Sequence, residues 1–118
     1  MRYMMLLRLD PAKAPVEGPS GELMEEMGKL LEEMTKAGVL LDTGGLRAVE
    51  PGAVVRQVKG KQTVLDGPFS EAKEVIGGYA LVQAKSLEEA TQWASRFLAV
   101  HGEEWEIEAE VRQVEEPE

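Results

Sequence analysis

Residues 76–98 read IGGYALVQAKSLEEATQWASRFL, and the change of period inside them decides the fold class. Ile76–Ala84 is a run of tyrosine, leucine and valine behind two glycines, with the length and composition of a strand. Ser86-Leu87-Glu88-Glu89 then matches a capping box. In that device the serine accepts from the Glu89 amide and the glutamate reaches back. Beyond it Leu87, Ala90, Ala94, Phe97 and Leu98 share one helical face, with Trp93 beside them and Gly102 at the exit. A strand that runs directly into an amphipathic helix is half of a β-α-β unit.

Working outward, the other half lies upstream. Met1–Leu9 places Met1, Tyr3, Met5, Leu7 and Leu9 on one strand face, and Arg2, Met4, Leu6 and Arg8 on the other. Asp10–Pro19 holds three prolines and a glycine and reads as a loop. Ser20 is the expected N-cap of a helix running to about Ala37, with Gly38 as its stop. Its apolar stripe is Leu23, Met27, Leu30, Leu31 and Met34, methionines that read as core filler. Val39–Asp42 and Leu46–Val49 read as short extended pieces around a Thr43-Gly44-Gly45 turn. Ala53–Val58 and Gln62–Leu65 flank Lys59-Gly60-Lys61 as a hairpin, and Asp66-Gly67-Pro68 ends it. Downstream, Trp105, Ile107, Ala109 and Val111 alternate with Glu106, Glu108, Glu110 and Arg112, a period of two.

The order predicts an α+β fold, a ferredoxin-like split β-α-β with an inserted β-hairpin, as one domain over residues 1–118. Both helices would cover one sheet face. The other face needs a cover, and a second copy is the simplest, so a homodimer is expected.

Charge narrows the partners. With 22 acidic and 13 basic residues the net charge is −9, which disfavours nucleic acid and anionic membrane surfaces. The absence of cysteine excludes disulfides, thiolate catalysis and cysteine-held zinc, and fits a reducing, cytoplasmic setting. Arg8 and Asp10 close the first apolar run too early for a signal peptide or membrane span. The chain has no asparagine and many Glu, Lys and Arg, a tendency of thermostable proteins. No P-loop, H-E-x-x-H, G-x-S-x-G or EF-hand pattern occurs, and no cofactor is expected. Gly77-Gly78 lacks a following helix, so it suits a bulge or close backbone contact better than a dinucleotide site.

The block DGPFSEAKEVIGGY (residues 66–79), with RYMMLL near the start and WEIEAEVR near the end, resembles the DGPF-motif branch of the YCII-related family. The resemblance covers essentially the whole chain. It implies a dimeric α+β barrel, two sheets packed face to face around a cavity, and no established activity. Some relatives carry a His–Asp pair facing a cleft. Here the single histidine, His101, falls after the second helix and none lies on the first, so the resemblance does not carry a histidine mechanism.

The candidate site residues are Arg8, Asp66, Phe69, Tyr79 and Arg112. Asp66 could act as acid, base or ligand, or simply cap a tight turn that Phe69 anchors in the core. Glu71, Lys73 and Glu74 read as solvated ion pairs. Arg8, Tyr79 and Arg112 would suit a small carboxylate or phosphate if register brings them to one face. Otherwise the arginines pair with neighbouring glutamates. His101, at a helix C-terminus, reads as a cap rather than a metal ligand. Two functions follow: a barrel that binds a small polar or anionic organic molecule, with Asp66 as a catalytic candidate, or a non-enzymatic module for dimerisation, regulation or partner binding.

Overall fold

In the computed structural model, residues 1–47, 52–66 and 75–116 are described, with Asp66 described by its backbone only. The elements are β1 (Arg2–Leu9), α1 (Gly21–Lys36), β2 (Leu40–Gly45), β3 (Ala53–Val58), β4 (Lys61–Asp66), β5 (Val75–Gln83), α2 (Leu87–Ala99) and β6 (Ile107–Gln113). Four strands form one antiparallel sheet in the order β2-β5-β1-β6, the ferredoxin-like arrangement, and β3 and β4 pair apart from it. The α+β, split β-α-β expectation with its inserted hairpin is therefore met.

Period two in the strands and period 3.6 in the helices meet in one core. Tyr3 and Met5 of β1, Ala80 and Val82 of β5, Leu30 and Met34 of α1, and Ala90, Ala94 and Phe97 of α2 are all buried together. Met5, Met34 and Val82 are the largest fully enclosed side chains, each contributing roughly 1.5–3 kcal/mol by burial. The small alanines let α2 approach β1 and β6 closely, while α1 lies against β2. On their outer sides the helices are tied by a two-pronged pair: Arg96 Nη2 donates to Glu33 Oε1 at 2.8 Å, and Arg96 Nη1 meets the other carboxylate oxygen. This hydrogen bond holds the Glu33 carboxyl below its ordinary range. Trp93 lies under the same guanidinium, 5.0 Å from its centre.

The helix starts follow the capping rules, with one difference. Ser20 Oγ accepts from the Leu23 amide at 3.1 Å, and Ser86 Oγ from the Glu89 amide at 3.1 Å. The Glu89 carboxylate, however, takes the Lys85 amide at 3.2 Å. Leu87 is exposed because it sits in the first turn, short of the sheet.

A second difference matters more for the site. Thr43-Gly44-Gly45 is no turn: β2 continues through it, with Gly44 opposite Tyr79 and Gly45 opposite Gly78, and Leu46 donates to the Gly77 carbonyl at 2.9 Å. The glycines are there for closeness. A Cβ on Gly44 would stand 3.0 Å from the Tyr79 ring, and one on Gly78 3.1 Å from the Gly44 carbonyl oxygen. The register of β1 on β5 also shifts between Leu7 and Arg8, where Gly77 is the extra residue of a bulge. Of the second extended piece, Leu46–Val49, only Leu46 and Arg47 lie within the described residues, and neither is in a strand.

The hairpin turns on Lys59 and Gly60, both at positive φ (51° and 82°), the two-residue turn whose twist suits a hairpin. Lys61 therefore belongs to β4. Every residue of Ala53–Leu65 is exposed.

Candidate functional site

The sheet face turned away from the helices is built from the alternate residues of the same strands. Register sets them in rows. Asp42, Leu81, Met4 and Arg112 form one row, Gly44, Tyr79, Leu6 and Glu110 the next, and Ile76, Arg8 and Glu108 a third. Arg8, Tyr79 and Arg112 thus share one face. Neighbouring strands lie about 4.8 Å apart, so Tyr79 on β5 and Glu110 on β6 are separated by roughly 10 Å across β1.

Both alternatives for the arginines occur at once, since they share the face and also pair with a glutamate. Arg8 Nη2 lies 2.7 Å from Glu110 Oε1, and Arg112 Nη1 lies 3.6 Å from Glu110 Oε2. One carboxylate is held between two guanidiniums, with Glu108 directly opposite Arg8. At the other end of the face, the Tyr79 hydroxyl donates to Asp42 Oδ2 at 3.1 Å. That hydrogen bond, with the carboxylate's charge, raises the phenol above its ordinary range and keeps it protonated. Thr43 Oγ1 donates to the Tyr79 carbonyl at 2.9 Å and fixes the backbone beneath the ring. Between the two polar ends lie half-buried Met4, Leu6 and Leu81.

Asp42 is the member of this face that the sequence reading missed. Treating Thr43-Gly44-Gly45 as a turn placed Asp42 at a strand end, when the strand carries it past Tyr79. Asp66 is the last residue of β4, with its backbone opposite Ala53, and its side chain lies outside the described residues. Phe69, Glu71, Lys73 and Glu74, with most of the DGPF block, lie outside them too.

Two cavities flank the sheet. A polar cleft of about 230 Å³ runs from Arg8 past Asp10 and Lys13 to Glu106 and Glu108. On the helix side, about 390 Å³ is lined by Leu7, Leu9, Leu23, Leu46, Ile107 and Trp105, with His101 at its margin. His101 Nδ1 is 3.0 Å from the Phe97 carbonyl and its ring meets Trp105 edge-on, 5.7 Å between centres, so it closes the end of α2. Among the described residues no group of three or more His, Asp or Glu side chains could hold a metal ion, and no helix is long and apolar enough to cross a membrane.

Comparison with known proteins agrees with the block at residues 66–79. The YCII-related domain family matches residues 1–111. An uncharacterized protein of Rhizobium meliloti is 32% identical over 72 residues, which make up 61% of this chain and 58% of that protein. The match thus spans a little over half of that relative's length.

Proposed function

The chain belongs to the YCII-related family, and from that premise we propose that two copies pair through the open sheet face and enclose a small polar or anionic organic molecule between them. The observation that carries this reading is the face itself. Arg8 and Arg112 stand at one end, Tyr79 with Asp42 at the other, and Met4, Leu6 and Leu81 lie between. A ligand with polar ends and an apolar middle, roughly 10 Å long, matches that spacing. An anionic group must draw an arginine away from Glu110. Two guanidiniums sharing one carboxylate make that exchange feasible, because the displaced Glu110 keeps the other arginine. In this reading Asp66 is the candidate acid or base and Phe69 a wall of the cavity. In this reading residues 1–118 form one heat-resistant domain that works in the cytoplasm.

A second reading has its own support. Arg8, Arg112 and Tyr79 already have partners in Glu110 and Asp42, as they would in an interface that binds no ligand. The dimer would then be the product, and the protein a non-enzymatic module acting on a protein partner.

Native mass spectrometry of the purified protein separates the two. A dimer with a reproducible added mass, lost in the Arg8→Met variant, supports the ligand site. A bare dimer favours the second reading. A monomer overturns both. With a ligand in hand, Asp66→Asn distinguishes roles: loss of ligand with the fold intact assigns it to the site, and loss of fold assigns it to the turn.

A further inference from the structure

Among the described residues the hairpin is the one element that the fold leaves without a use. Among these residues β3 and β4 pair only with each other, and all of Ala53–Leu65 is exposed. An isolated two-stranded hairpin is at best marginally stable in water, so it needs packing from elsewhere. Its side chains are also wrong for solvent. Cross-strand pairing sets Val54 opposite Leu65 on one face and Val55 opposite Val64 on the other. Val55, Val58 and Val64 are each about 60% exposed, at 62%, 58% and 62%. A solvated hairpin would be apolar on one face at most.

Its charge is equally distinct. From Ala53 to Asp66 stand Arg56, Lys59 and Lys61 against one acidic residue, Asp66 at the base of the arm, a formal charge of +2. The whole chain carries −9, so everything outside the hairpin carries −11. The protein is thus a strongly acidic body bearing one basic, apolar arm of roughly 20 Å, six residues per strand. The surface that such an arm complements is present on every other copy of the same chain.

We propose that the hairpin is a dimer arm, which packs its valines and its three basic residues against the acidic body of a second copy. This deepens the reading given above and rests on its premise that the protein pairs. It adds the element that holds the pair and the charge that selects the partner. Closed two-fold pairing explains why both hairpin faces are apolar: each arm can lie between its own body and its partner's.

The test compares wild type with Val55→Asp/Val64→Asp and with Arg56→Glu/Lys59→Glu/Lys61→Glu. All five side chains are exposed in the single chain, so the monomer fold is expected to survive, as far-ultraviolet circular dichroism will check. Sedimentation equilibrium gives the dimer dissociation constant. Each variant is expected to raise it at least about tenfold, and wild-type affinity is expected to fall as salt screens the charges. Amides of 53–66 should exchange more slowly when the protein is concentrated enough to pair. A wild-type monomer overturns the pairing premise itself. A wild-type dimer whose variants associate equally well, with hairpin exchange independent of concentration, overturns the arm alone and leaves the pairing and the ligand site standing.

Discussion

The two faces of the four-stranded sheet are made by the same strands and end in different states. Toward the helices, Tyr3, Met5, Ala80 and Val82 are almost wholly removed from water. One residue along each strand, Met4, Leu6, Tyr79 and Leu81 are half-buried, among Arg8, Glu108, Glu110 and Arg112. No strand propensity separates these sets, because the backbone is shared. The difference lies in what each face meets: two amphipathic helices on one side, and on the other, among the described residues, no covering element. A fold can therefore be fully specified by one face while the other stays open.

The largest expected effect belongs to the covered face. Met34 is fully enclosed between α1 and the sheet, so Met34→Ala removes packed volume with little room to collapse. We expect a loss of about 2–5 kcal/mol in the unfolding free energy, read from denaturant midpoints. A loss below about 1 kcal/mol would mean that the core is much looser than its burial implies.

On the open face the expected order reverses. Leu6→Ser removes apolar area that is only half-buried in the single chain, so monomer stability should fall by about 1 kcal/mol or less. Dimer dissociation should strengthen by about 30-fold, the scale of a central interface residue worth about 2 kcal/mol. If Leu6→Ser instead costs as much as Met34→Ala and leaves association unchanged, the two faces are equivalent and the open-face reading fails.

The covered face was largely legible from the amino acids, because its signals are local. The stripe Leu30–Met34, the alternation Trp105–Arg112 and both serine caps each depend on residues a few positions apart. The open face was legible only in part. Arg8, Tyr79 and Arg112 could be named as strand residues, yet their convergence required the register of three strands, which no local pattern contains. The Thr43-Gly44-Gly45 segment misled for a definite reason. Glycine marks turns by its freedom at positive φ, but here it was selected for the absence of a Cβ beneath the Tyr79 ring and against the β5 backbone. That misreading concealed Asp42. The hairpin is legible in Lys59-Gly60-Lys61, although its turn proves one residue shorter, whereas its separation from the sheet among the described residues is a tertiary fact that turn chemistry does not encode.

The smallest effect tests the far end of the open face, where Tyr79 and Asp42 meet. The Tyr79 phenol is raised above the ordinary tyrosine value of about 10, first by its hydrogen bond to Asp42 and then by that carboxylate's charge. A raised folded value means the folded state favours the protonated phenol. Its stabilising contribution is thus complete below about pH 10 and is lost as pH rises through the folded value, where phenolate would face carboxylate. In a Tyr3→Phe background, which leaves Tyr79 as the only tyrosine, phenolate absorbance should appear later than for free tyrosine. Adding Asp42→Asn should bring it back toward the ordinary value, because the carboxylate's charge is gone. Gly44→Ala should act in the same direction, because its Cβ forces the ring to move from above β2 and loosens the 3.1 Å bond. If Asp42→Asn leaves the titration unmoved, that bond does not hold in solution, and Tyr79 becomes an ordinary half-exposed residue like Leu6 beside it. The polar character of the face would then rest on the arginine–glutamate end.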